Sequence, residues 1–147
     1  MLPEVYEYIA SKQVIHDNLL ERCERLIAKY RELWAQGDKA EPAIFTWPSE
    51  VLHADDSGTP VNDICCCKLD ADRNKWPDTI RGVAERTKAF AVLVMDPRET
   101  EVRFLFESPK GTRAWTIPIQ RHGDVSVLGK VRREDGAART GLLWKTN

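Results

Sequence analysis

Three consecutive cysteines, Cys65, Cys66 and Cys67, are the densest concentration of reactive side chains in this 147-residue chain. A thiolate is both a nucleophile and a soft metal ligand, so the run invites a zinc or thiol-redox reading. On a strand, Cys65 and Cys67 point to one face and Cys66 to the other. Two thiolates on one face supply half of a tetrahedral zinc site. The other half would have to come from Cys23 or a histidine, and none lies at a recognised metal-binding spacing. A Cys65–Cys67 disulfide is excluded by distance, since same-face residues two apart in a strand lie about 7 Å apart. Free cysteine is a small, commonly buried residue, so the expectation for this run is core packing, with no metal and no other cofactor.

Asp96, Glu107 and Lys110 offer a second possible chemistry, because two acids and a lysine beside a sheet could serve a metal-dependent nuclease. Asp96 closes one predicted strand and Glu107 closes its antiparallel neighbour, which puts them at opposite strand ends, roughly 17–20 Å apart. Ligands of one ion must converge, so the expectation is solvated turn residues. The histidines are His16, His53 and His122. No Gly-x-Ser-x-Gly elbow and no glycine-rich phosphate loop accompanies them. Structural or solvent-facing roles are expected, with His16 placed to set the register of a helix seam or to titrate at an interface.

Charge is uneven toward the C-terminus. Residues 121–147 carry Arg121, Lys130, Arg132, Arg133, Arg139 and Lys145 against Asp124, Glu134 and Asp135. With Trp144 nearby, this pattern allows a nucleic-acid or nucleotide surface. The net charge of −1 gives no global support for one.

The elements that must position these groups are legible in the hydrophobic pattern. Residues 3–36 predict a long helix. Leu19, Cys23, Leu26, Tyr30 and Leu33 repeat in steps of four and three, widened by Leu20, Ile27 and Trp34. Lys12 and His16 interrupt the seam, and Val5, Tyr6 and Ile9 resume it. Gly37 marks its C-cap. Unbroken, this helix would be roughly 50 Å long, against a domain roughly 35 Å across. It must break near Ser11, or project and meet a partner.

Residues 41–49, with Pro42, Trp47 and Pro48, read as an apolar connector folded over the core. Residues 50–54 and 61–69 read as a hairpin around the turn-rich run 55–60. A second helix is predicted from Pro77 to about Lys88, with Trp76, Ile80, Val83 and Ala84 as its apolar stripe. Residues 89–95 are apolar at every position, so this strand must be covered on both faces and lie mid-sheet. In the next two strands Val102, Phe104 and Phe106 share a face, as do Trp115, Ile117 and Ile119. Pro118 predicts a strand end or a sheet edge. Val125, Val127 and Val131 alternate, and Glu134-Asp135-Gly136 is a hairpin signal before a last strand predicted over residues 140–145.

A composition of 42% hydrophobic and 31% charged residues is that of a globular chain. No apolar run approaches the roughly 18 residues of a membrane span, and residues 1–5 lack a basic n-region and an apolar h-region. The expectation is a cytoplasmic protein with no membrane association.

The run from Trp47 to Ile119 resembles small, uncharacterised bacterial proteins with a leading helix, a hairpin, a helix and a meander. The matching stretches are Trp47-Pro48-Ser49, residues 78–88 and Phe90-Ala91-Val92-Leu93-Val94. Met95-Asp96-Pro97 stands where those proteins carry Glu-x-Trp. The resemblance implies a fold and a bacterial or phage origin, and carries no function.

Together these readings predict an α+β fold in the order α-β-β-α-β-β-β-β: a long N-terminal helix plus a mostly antiparallel sheet with one helix packed on it. Residues 1–147 are expected to form one domain, with 1–40 as the helical segment and 41–147 as the sheet-containing core. The expected function is a non-enzymatic binding or assembly module that meets a protein partner, or a second copy of itself, through the N-terminal helix. Leu19, Leu26, Tyr30, Leu33 and Trp34 are the candidate interface residues. Nucleic-acid binding through the basic C-terminal hairpin is the alternative.

Overall fold

The computed structural model describes residues 3–48, 53–54, 60–61 and 64–144, with the backbone alone for 3–12, 53–54 and 60–61. Helix α1 (Pro3–Ala35) is followed by β1 (Ala43–Pro48), β2 (His53–Ala54), β3 (Pro60–Val61) and β4 (Cys65–Lys68). A short 3₁₀ turn (Arg73–Lys75) leads into α2 (Trp76–Thr87). Then come β5 (Ala89–Pro97), β6 (Glu101–Ser108), β7 (Gly111–His122), β8 (Val125–Leu128) and β9 (Arg132–Asp135). The main sheet has the order β4-β1-β5-β6-β7-β8, with β9 also on β7, and every pairing is antiparallel. This is the predicted α+β class. No helix among the described residues is long and apolar enough to cross a membrane.

The sheet is covered on both faces. Against one face α1 lays Leu19, Leu20, Cys23, Ile27 and Trp34, which meet Phe45, Trp47, Leu93, Phe104, Phe106, Trp115 and Ile117. Against the other, α2 lays the four stripe residues Trp76, Ile80, Val83 and Ala84 on Ile44, Val92 and Val94. Leu142, Leu143 and Trp144 complete that second cover. Period two explains the division: alternate residues of β5 supply opposite layers. Burying a side chain such as Phe104 contributes about 1.5–3 kcal/mol.

Three expectations need correction. Residues 43–48 are not a connector but an inner strand, held between β4 and β5. Pro42 precedes it and Pro48 ends it, so neither removes a donor from its middle. The predicted hairpin before α2 falls largely outside the described residues: among those described β2 pairs with β3, while the cysteine strand β4 pairs not with this hairpin but with β1. Strand β7 runs past Pro118 to His122, because Pro118 falls where its outer edge passes from β9 to β8. There the Gly129 N–H donates to the Pro118 carbonyl at 2.8 Å.

Helix α1 does not break near Ser11. Nor does it share a face with α2, since the two helices lie on opposite sides of the sheet. Its end follows the predicted cap. Gly37, at φ +110°, lets the Asp38 N–H reach the Leu33 carbonyl at 3.2 Å and the Gly37 N–H reach that of Trp34 at 3.1 Å. At the end of α2, Lys88 takes the left-handed conformation at φ 50°, without glycine.

Candidate functional site

The most concentrated polar chemistry lies where α1 crosses the β6–β7 turn. Ser108 ends β6 and initiates that turn, its Oγ accepting the Lys110 N–H at 3.0 Å. The same Oγ lies 2.6 Å from His16 Nδ1 on α1, across 92 residues of sequence. With Oγ already accepting from Lys110, the arrangement that employs its own hydrogen has Oγ donating to Nδ1. The His16 ring leans on Phe106 at 5.5 Å between centroids. Its edge faces Gly111, where an added Cβ would sit 3.7 Å from Cε1. Burial lowers the His16 pKa below 6.5, helped by the positive charges of Arg113, Arg139 and Lys110 and opposed by Asp17. A neutral imidazole follows at neutral pH.

A neutral histidine nitrogen on a serine hydroxyl is the pairing used to activate a nucleophile. Here access decides against that use, because Ser108 is 0% exposed and His16 only 7%. A cavity of about 610 Å³ lies at the other end of α1, between Trp34, Gly37 and Asp38 and the β7–β8 turn, and includes neither residue. The pair acts as a clasp that fixes the register of α1 on the sheet.

Beside it, Glu107 is 1% exposed and points to the opposite face. Its Oε1 accepts the Thr140 N–H at 2.8 Å. Arg139 donates through Nη1 to the Ser108 carbonyl at 2.7 Å and stands 4.0 Å from Glu107 Oε2. These contacts tie residues 139–140 down over the end of β6. As expected, Asp96 and Glu107 do not converge, but Glu107 is buried and not the expected solvated turn residue. Glu107 lies opposite Val92, four residues along β5 from Asp96, or about 13 Å at strand rise. Asp96 is engaged by Arg73 at 2.5 Å and Arg98 at 3.0 Å.

The cysteine run is not core. Strand β4 is the sheet edge, so Cys65 and Cys66 are exposed and Cys67 half-buried, while Cys23 is the buried thiol. Cys67 lies opposite Ile44 and Cys66 opposite Phe45, which places them on different faces as the alternation requires. Partial burial raises the Cys66 thiol pKa, as does the neighbouring Cys67. Burial pushes that of Cys23 up strongly. Among the described residues no three His, Cys, Asp or Glu side chains gather as a metal site. His122 is exposed at the β7–β8 turn, and the His53 side chain lies outside the described residues.

The candidate interface residues sit in the chain's own core. Leu19 and Trp34 are buried against the sheet, Leu26 and Tyr30 pack at its margin, and Leu33 is half-buried. Trp34 stacks on Phe104 at 6.0 Å and on Tyr30 at 5.5 Å. Leu19 and Trp34 are thus spent on the chain's own sheet, while Leu26, Tyr30 and Leu33 keep part of their surface exposed.

The basic set is also divided. Arg133 is paired with Asp135 and Glu24, in a network that Arg113 shares at 2.6 Å from Asp135 and 3.0 Å from Glu24. Arg139 is occupied at the β6 end, Arg121, Lys130 and Arg132 are exposed, and Lys145 lies outside the described residues. The contacts that sequence reasoning missed, His16 to Ser108 and Arg139 to Glu107, join residues with no shared motif.

No protein-family model, no curated protein and no solved structure matches this chain.

Proposed function

We propose that the protein is a non-enzymatic assembly module that binds a second copy of itself through the N-terminal helix α1, with Val14, Leu26, Tyr30 and Leu33 as the candidate contacts. One observation carries the reading. The helix is 33 residues long, and Leu26, Tyr30 and Leu33 on it are only partly buried by its own sheet. His16 is clasped to Ser108 at the turn where β6 ends. Thirteen residues precede it in the chain from Pro3, about 20 Å at the α-helical rise. Val14 is 56% exposed, and the sequence spacing of Val5, Tyr6 and Ile9 extends the apolar pattern.

Val14 and the partly buried Leu26, Tyr30 and Leu33 are the apolar surface that α1 offers to a partner. Size exclusion coupled to light scattering on the full chain at tens of micromolar tests it, with a dimer or higher species expected. Val14→Asp should shift that species toward monomer with little change in melting temperature, because the position is exposed. A clean monomer in the parent protein would refute the proposal.

A further inference from the structure

An apolar groove of about 370 Å³ opens on the α2 face, floored by Trp76, Ile80, Val94, Leu105 and Leu142. Its volume lies at the small end of the ligand-pocket range of about 300–1,000 Å³. Three arginines, Arg73, Arg98 and Arg103, line it with a single acid, Asp96. We propose that this groove binds a small apolar carboxylate, its hydrocarbon or aryl body on the floor and its head on the guanidinium cluster.

The charges at the groove support an anionic head. Asp96 is shared, taking Arg73 at 2.5 Å and the Arg98 Nε at 3.0 Å. Among the described residues the ion-pair partner of Arg103 is the exposed Glu134 at 3.8 Å, beyond hydrogen-bond length. Three cations against one lining acid leave the groove net positive. The cluster is also pre-organised. Arg73 lies 4.8 Å over the Trp76 ring and donates to the Pro97 carbonyl at 3.0 Å, while the Trp76 indole N–H is anchored on the Asp70 carbonyl at 2.6 Å. A planar guanidinium held in place presents paired N–H groups to a carboxylate with little further ordering. The low wall and apolar floor strengthen that attraction relative to open solvent.

Amide and indole NMR spectra of the full chain, titrated with octanoate, octanol and octylammonium, test this assignment. Octanoate should shift the Trp76 indole resonance, identified by its loss in Trp76→Phe. Octanol should bind at least tenfold more weakly, and octylammonium should leave the resonance in place. Arg98→Gln with Arg103→Gln should weaken octanoate at least tenfold, with spectral dispersion reporting that the fold is intact. Equal binding of octanoate and octanol would overturn the proposal, since the arginines would then recognise nothing. So would no octanoate shift at millimolar concentration. A short acidic peptide with one leucine that binds where octanoate does not would also overturn it, and make the groove a protein-docking surface.

Discussion

Replacing His16 with asparagine should change how stability depends on pH, and by a direction the structure dictates. Asparagine places an amide atom close to where Nδ1 stood, so a contact to Ser108 remains possible, but it does not titrate. In the folded protein burial holds the His16 pKa below its ordinary 6.5, so the folded chain binds its proton later than the unfolded chain as pH falls. Above 6.5 both states are neutral at this site and its contribution is complete. Below 6.5 the unfolded chain protonates first, and stability falls until the folded imidazole protonates as well. One proton gives a slope of at most about 1.4 kcal/mol per pH unit. Urea unfolding at about pH 7.5 and about pH 5.5 should therefore cost the parent protein on the order of 1 kcal/mol more than it costs H16N. Contributions from groups that the substitution does not touch cancel in the difference. At pH 7.5 H16N should itself be less stable by about 1–3 kcal/mol, because the ring no longer packs on Phe106. An equal pH-dependent loss in the two proteins would refute the placement of a neutral His16 in the α1 clasp.

Two further substitutions probe backbone and polar burial. Lys88→Gly relieves a left-handed residue at the end of α2 and should stabilise the fold by up to about 1 kcal/mol, read as a rise in urea midpoint. Thr46→Val removes a buried hydroxyl with no hydrogen-bond partner among the described residues, and should raise the melting temperature, with a gain of about 1 kcal/mol in calorimetry.

What the residues reveal in advance depends on how local the determining contact is. The faces of β6 and β7 follow from period two alone, and Val102, Phe104, Phe106, Trp115 and Ile117 are all buried on the predicted side. The α2 stripe is equally local. Strand β1 escapes because two prolines and a tryptophan in nine residues imitate a loop, although both prolines fall at its ends. The exposure of Cys65 and Cys66 depends on β4 lying outermost, a fact of strand order that no local pattern encodes. His16 and Ser108 illustrate the same limit for the site. Each is an ordinary residue, and only the docking of α1 joins them.

The order in which the chain is made sets a constraint on α1. Tyr30 meets Phe45 soon after it is made, but the hydrogen-bonded partners of α1 on the sheet lie far downstream: Ser108 is 92 residues beyond His16, Gly129 is 98 beyond Arg31, and Arg133 is 109 beyond Glu24. At translation rates of about 5–20 residues per second, the apolar stripe of α1 waits roughly 5–20 s for the sheet that covers it. During that interval the stripe is free to meet other chains, including a second nascent copy. The helix synthesised first is the element completed last, so its docking should dominate both the slow phase of folding and the risk of aggregation.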